Sequence, residues 1–347
     1  MAMRLEEPET ALTFDDVMLV PQYSELLSRS EPDLKTTMGN GDLDLPIVSS
    51  PMNTVTEFEM AEVMSSVGGA SVIHRFMSIE EQMSIFQKVK DNGVMNVYFA
   101  VGAGKESFER VKIMLDAGVQ NICVDIAHGD SVLAEDMVDM IRRVYNFRGS
   151  IMAGNVCTFE GTAMLAGAGA DIIKVGIGPG SMCKTRIVTG HGVPQISAID
   201  KCSVIRYSHP GVCIVADGGI RNTGDMVKAL AAGANAVMLG SMLAGTSQSP
   251  GEVIEKDGRA YKLYAGMASI VGRSKWLKEK ASSVTEEGEA SYIPFKGDAK
   301  TLLDGYGKAI KTGMTYSGAF TLQELREKAK FVRVTENGRI EGTPHGK

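Results

Sequence analysis

Eight short β-branched segments, each followed by a stretch of helical period, constrain this chain more than any other feature. They are Pro46–Ser50, Ala70–His74, Val97–Gly102, Ile122–Ala127, Ile151–Val156, Ile172–Gly176, Cys213–Gly219 and Ala236–Ser241. Between them, Glu106–Ala117, Leu133–Val144 and Asp225–Ala232 space their apolar residues as helices do. Strands that are apolar almost throughout must be covered on both faces, and alternation with helices describes a parallel sheet. Eight such strands favour an α/β fold of the closed (β/α)8 TIM-barrel type over an open doubly wound sheet. The rhythm calls for no boundary, so residues 1–347 are expected to form one domain.

Two stretches break the rhythm: Ile177–Gln195 after the sixth run, and residues 242–321 between the eighth run and the helical segment Leu322–Lys330. Long loops in a compact domain are usually functional or disordered. Both follow strands at the C-terminal face of the barrel, where barrel enzymes carry their chemistry.

Composition narrows the partners. The chain has 36 Lys and Arg against 42 Asp and Glu, a formal net charge of −6, with no clustered cationic footprint for nucleic acid or an anionic membrane. No apolar run approaches the roughly 18 residues of a membrane span, and Met1–Pro8 lacks the apolar centre of a secretory signal. Five cysteines, Cys123, Cys157, Cys183, Cys202 and Cys213, show neither a CxxC pair nor zinc spacing. Such scattered thiols point to a reducing, cytoplasmic setting. Four of them fall in expected strands or helices as packing residues, and Cys183 is the exception.

Cys183 lies in Gly176-Ile-Gly-Pro-Gly-Ser-Met-Cys-Lys-Thr-Arg186, the densest chemical signal in the chain. Glycines let backbone N–H groups approach an anion, and Ser181 adds a hydroxyl. Lys184 and Arg186 place positive charge near the thiol, which favours the nucleophilic thiolate. The plainer alternative is a Gly-rich turn with an inert cysteine. Asp217-Gly-Gly219 and Gly240-Ser241 close the seventh and eighth runs, the usual phosphate position in this barrel. A carboxylate beside bare backbone suits a ribose diol next to a phosphate. Together these strand ends favour a nucleoside monophosphate ligand.

The same residues resemble the IMP dehydrogenase/GMP reductase family. The likeness runs through Leu12–Val17, Ser49–Met52, Val124-Asp125 with His128-Gly129, Gly154–Val156, Gly176–Gln195, Ala216–Gly219, Gly240–Gly245 and Tyr264–Met267. It implies a barrel, usually a homotetramer, that acts at purine C2 through a covalent cysteine adduct in purine nucleotide metabolism and salvage. By matching position Cys183 is the nucleophile, and Thr185 with Glu287 is the proton relay. Ser181, Gly219, Gly240, Ser241 and Tyr264 would hold the phosphate and Asp217 the ribose. Ser50, Met52, Gly266, Met267 and Ser269 would border the nucleotide. Gly102, Asp125, Ala127 and Asn155 would border the nicotinamide cofactor. Backbone groups of Gly178, Gly180 and Cys183 would hold a monovalent cation such as K+.

The family runs two opposed reactions, and the sequence carries marks of both. Family dehydrogenases have an Arg-Tyr pair in a mobile flap after the eighth strand. The corresponding stretch here, about 266–297, lacks that pair and has a reductase-like length, its only arginine before Gly288 being Arg273. The tandem CBS module that dehydrogenases usually insert after the second strand is also missing, since only Arg75–Met95 separates the second and third runs. Other features resemble bacterial dehydrogenases: Arg186–Gly190, Gly192–Gln195, Gly240–Gly245, Ala100–Gly104 and the tail Ile340–His345. Ser283-Val284 stand where reductases carry Tyr-Arg, Arg75 where lysine is usual, and Asn53 where dehydrogenases commonly have Asp. The expected activity is NADPH-dependent reduction of GMP to IMP, with NADH or NAD as alternative cofactors. The alternatives are a CBS-free IMP dehydrogenase and a nucleotide-binding barrel without catalysis.

The remaining candidates read as structural: His74 and His191 as hydrogen-bonded residues, and the methionines as core filler. His128 lies near the expected cofactor face, and Trp276 suits either cofactor stacking or a subunit contact. If Cys183 is the nucleophile, Cys183→Ala abolishes turnover while GMP affinity, measured by calorimetry, stays largely intact.

Overall fold

The computed structural model describes residues 9–269 and 287–344. After β1 (Val17–Leu19), β2 (Thr36–Met38) and β3 (Gly41–Leu43), eight parallel strands close a barrel in chain order. These are β4 (Ile47–Ser49), β5 (Ala70–Ile73), β6 (Val97–Val101), β7 (Asn121–Asp125), β8 (Ser150–Val156), β9 (Ile172–Val175), β10 (Cys213–Asp217) and β11 (Ala236–Leu239). β11 pairs back onto β4, with Val237 opposite Ile47. All eight apolar runs of the sequence are these strands.

Alternate residues of a strand face opposite sides of the sheet. Val48, Val72, Tyr98, Cys123, Met152, Val215 and Met238 pack together inside the barrel. The intervening Ile47, Ile73, Phe99, Ile122, Ile151 and Ile214 join the core beneath the helices. Burial on both faces explains the unbroken apolar runs.

The β2–β3 hairpin closes the end of the barrel where the strands begin. Met38 and Leu43 join the interior cluster, the Tyr98 hydroxyl donates to the Met38 carbonyl (3.4 Å), and the Cys213 thiol donates to that of Thr37 (3.2 Å). This covers one end of the barrel and leaves the opposite mouth, where the strands end, as the place for a site. β5 and β6 are joined through a single helix, Ile79–Asp91, and no further domain intervenes. Its start is fixed by a capping box: the Ser78 hydroxyl accepts from the Glu81 N–H, and the Glu81 carboxylate accepts from the Ser78 N–H.

The structure departs from the sequence reading in four places. The described residues of the stretch 242–321 are not a long loop. They contain the antiparallel sheet β12 (Ile254–Lys256), β13 (Arg259–Ala265), β14 (Ala290–Pro294) and an 18-residue helix, Ala299–Tyr316. That helix buries Ala299, Leu303, Gly307, Ile310 and Met314, one stripe at helical spacing, against the helices Phe58–Ser66 and Thr223–Ala231. Ile177–Gln195 holds a short helix, Thr185–Thr189, and its last residue opens the helix Gln195–Ser203. The segment Leu133–Val144 is α-helical over Val132–Asp139 and then widens to a π turn over Met140–Val144. Cys157 lies beyond the end of β8, half-buried, rather than within a regular element.

Near the termini, β1 pairs antiparallel with β15 (Phe331–Arg333). Among the described residues, no helix is long and apolar enough to cross a membrane. Leu303 is completely buried. Leu303→Ala should therefore cost about 2–5 kcal/mol, read as a lower urea midpoint with an unchanged slope.

Candidate active site

Strand register assembles the floor of the open mouth. Asp125 on β7 lies opposite Gly154 on β8, and Gly154 lies opposite Lys174 on β9. A side chain at the middle position would block the outer two: a Cβ on Gly154 would sit 2.7 Å from the Lys174 Cβ. Across that bare Cα, the Lys174 ammonium donates to Asp125 Oδ1 in a short ion pair. Lys174 is 1% exposed. Burial alone would push its pKa down, but Asp125, with Cys123 and Asp217 behind it, outweighs that effect and raises it. A buried lysine whose charged form is favoured by its carboxylate partner is thus set at the barrel mouth, unlike the neutral amine that Schiff-base chemistry needs.

Asp217 ends β10 at the same mouth. Its Oδ2 accepts from Asn155 Nδ2 (2.8 Å), which also donates to the Gly176 carbonyl (2.9 Å). Burial raises the Asp217 pKa, while Lys174 and Asn155 act against that rise. Asn155, expected beside the cofactor, therefore spends its amide group on the carboxylate expected to hold ribose. The strand end carrying Asp217 and the Cys183 loop are pressed together: a Cβ on Gly176, whose φ is +151°, would fall 2.0 Å from the Asp217 carbonyl oxygen. Gln195, fully buried, ties them further by donating from Nε2 to the carbonyls of Val175 (2.7 Å) and Asp217 (3.2 Å).

On that loop Cys183 is exposed, whereas the other four cysteines are buried or half-buried. Burial pushes the Cys123 and Cys202 thiols up to about 12, consistent with packing roles. Cys183 Sγ lies 3.1 Å from Thr185 Oγ1, and Thr185 Oγ1 donates to Glu287 Oε2 at 2.8 Å. The three expected catalytic residues are one continuous line. Main chain carries Glu287 to this position. The Lys184 N–H donates to the Glu287 carbonyl (2.7 Å), and the Glu289 N–H donates to that of Met182 (2.9 Å). The expected cationic surroundings of the sulfur are spent elsewhere: Lys184 Nζ pairs with Glu289 (3.1 Å), and Arg186 donates to the carbonyls of Ile177 and Val193.

The expected nucleotide residues gather beside this line. The Ser181 hydroxyl lies 3.3 Å from the Tyr264 hydroxyl, which lies 3.8 Å from Met52 Sδ. A Cβ on Gly240 would meet Tyr264, Met52 and Ser50 at 2.9–3.2 Å. Burial raises the Tyr264 pKa, against the hydrogen bond from Ser181. Ser50 Oγ is buried with no hydrogen-bond partner, a polar atom left for a ligand to satisfy. Gly219 packs near Pro179, Met267 Sδ accepts from the Asn53 N–H, the Gly266 N–H donates to Glu289, and the Ser269 hydroxyl donates to Gly266. The Ser241 carbonyl accepts from Lys296 Nζ.

On the expected cofactor side, Arg75 Nε donates to the Asp125 carbonyl (3.1 Å), and a Cβ on Gly102 would lie 3.4 Å from the Arg75 guanidinium. Ala127 and His128 are exposed. For the expected cation, Gly178 and Gly180 belong to the Cys183 turn, and the Gly180 carbonyl already accepts from the Cys183 N–H (3.0 Å). His74 is structural: Nδ1 accepts from the Phe76 N–H, leaving Nε2–H for Glu57 (3.3 Å). His191 donates locally to the Thr189 carbonyl. Arg273, Trp276, Ser283 and Val284 lie outside the described residues, as does most of the expected flap. Lys174 and Gln195 were not among the expected site residues. A lone lysine at an inward position of the apolar run Ile172–Val175 is the signal that could have identified the first.

Comparison with known proteins matches this architecture to one family. Residues 11–345 match the IMP dehydrogenase / GMP reductase domain. GMP reductase 2 of Homo sapiens is 39% identical over 335 residues, covering 94% of this chain and 95% of that protein. The inosine-5'-monophosphate dehydrogenase of Cryptosporidium parvum is 38% identical over 384 residues, covering 96% and 94%. A GMP reductase from Trypanosoma brucei, solved in complex with guanosine 5'-monophosphate, superposes with a TM-score of 0.89 at 28% identity, covering 98% of this chain and 99% of that one. With its closed barrel and this coverage from end to end, the chain belongs to the IMP dehydrogenase/GMP reductase family of oxidoreductases.

Proposed function

We propose that the chain reductively deaminates GMP to IMP and ammonia with NADPH. The observation that carries the reading is the unbroken line from Cys183 Sγ through Thr185 to Glu287. It gives the leaving amine a proton source without an Arg-Tyr pair, which the sequence between Gly266 and Gly288 lacks. The single helix between β5 and β6, in place of a CBS module, supports the same branch.

Cys183 Sγ attacks purine C2, and its proton passes along Thr185 to Glu287. The relay then protonates the 2-amino group, which leaves as ammonia, and C2 stays bonded to sulfur. A reduced nicotinamide, when bound, supplies hydride to C2. As C2 accepts it, the C–S bond breaks, and Cys183 leaves as thiolate with IMP formed. Ser181, Gly219, Gly240, Ser241 and Tyr264 would hold the phosphate, Asp217 the ribose, and Ser50, Met52, Gly266, Met267 and Ser269 the rest of the nucleotide. The partly exposed Asp125 carboxylate shares the open mouth with the exposed Cys183 and suits a cofactor face bordered by Gly102, Ala127 and Asn155. Carbonyls of Gly178, Gly180 and Cys183 are neutral oxygen donors of the kind a monovalent cation takes, and a homotetramer is the assembly we propose.

The bacterial-dehydrogenase character of Arg186–Gly190 and Gly192–Gln195 keeps oxidation of IMP as the second reading. Chromatography of the products separates the two. With GMP and NADPH, IMP and ammonia should form in equal amounts with NADPH loss, and Glu287→Gln should slow this by about 100-fold or more. XMP formed from IMP and NAD, with no reduction of GMP, would overturn the proposal.

A further inference from the structure

We propose that Lys174 is a positioning residue that couples the two carboxylates of the mouth, bonding Asp125 directly and placing its positive charge one inward position below Asp217. The inference rests on the nucleotide-binding reading above for its purpose, but its physical core does not. Three observations carry it. First, Lys174 is buried and spans the bare Gly154 Cα to bond Asp125. Second, Lys174 faces Val215 in the β9–β10 register, one inward position below Asp217. Third, Asp217 accepts from a neutral donor, Asn155, and among the described residues no cation is bonded to its carboxylate directly. Two half-buried carboxylates at one mouth repel each other, and the ammonium between them offsets that repulsion.

Among the described residues, three other titratable or charged groups face this set. Cys123 lies beneath Lys174 and Asp125, Tyr264 approaches Asp217 from β13, and Arg75 is engaged with the Asp125 carbonyl. Burial already raises the Asp217 pKa, and Lys174 is the foremost influence that lowers it. Without Lys174, Asp217 binds a proton at higher pH. A protonated carboxyl donates one hydrogen bond where the anion only accepts, so it no longer matches a pair of ribose hydroxyls.

The test compares the parent protein with Lys174→Met, Lys174→Arg and Asp125→Asn. In ligand-free protein, pH-difference infrared spectroscopy follows the protonated-carboxyl band, assigned to Asp217 by its loss in Asp217→Asn. In Lys174→Met this band should titrate about one pH unit or more higher than in the parent, and Lys174→Arg should restore the parent position. Asp125→Asn keeps the ammonium and removes the competing anion, so Asp217 should titrate lower; this arm serves if Lys174→Met does not fold. An Asp217 band that stays in place in folded Lys174→Met, or in Asp125→Asn, overturns the proposal. GMP and IMP affinities measured across the same pH range should lose their acid limb at correspondingly higher pH in Lys174→Met. A parent protein that binds neither nucleotide overturns the functional reading, while the infrared result still decides the coupling.

Discussion

The active mouth depends on one cross-strand contact: a lysine bonded to an aspartate over a residue with no side chain. Burying an ammonium is costly unless it is paired, and pairing across two strands is possible only if the strand between them presents nothing. Gly154 meets that condition. The register that puts Asp125, Gly154 and Lys174 in one row also sets where the neighbouring strands end. It thereby fixes the height at which Asp217 and the Cys183 loop emerge.

The rest of the site is built on that floor by main chain more than by side chains. Gly176 lets the Cys183 loop pass against the end of β10, and Gln195 bonds carbonyls of both β9 and β10. The exposed sulfur then meets a hydroxyl and a carboxylate in sequence, at 3.1 and 2.8 Å. Beside it, Ser50, Met52, Ser181, Gly240 and Tyr264 converge from four separate parts of the chain. A polar cluster drawn from strand ends so far apart in sequence is what a barrel supplies and an open loop does not.

The barrel was legible because parallel strands covered on both faces leave continuous apolar runs, and all eight appear in the structure. The helix Ala299–Tyr316 was not, because Gly305, Gly307 and Gly313 and a scatter of threonines lower its helical propensity. Its stability comes from the buried stripe that includes Leu303, Ile310 and Met314, a tertiary effect. In the site, Cys183, Thr185 and Glu287 could be named from motif positions, although 102 residues separate Thr185 from Glu287. Lys174 is hard to identify from sequence because a single charge in a strand usually marks an edge or a solvent face. Only the closed register turns it inward. The charges flanking Cys183 misled in the other direction: Lys184 and Arg186 are near in sequence but bonded to Glu289 and to carbonyls.

Backbone pairing between Met182–Lys184 and Glu287–Glu289 brings the sulfur and its carboxylate to a spacing written in amide groups. Amide groups are common to nearly every residue, so drift at Met182, Lys184 or Glu289 leaves that spacing intact. Reactive distance is therefore insulated from ordinary sequence variation, and divergence in chemistry within this scaffold falls to whatever the mouth presents to the purine from its other walls.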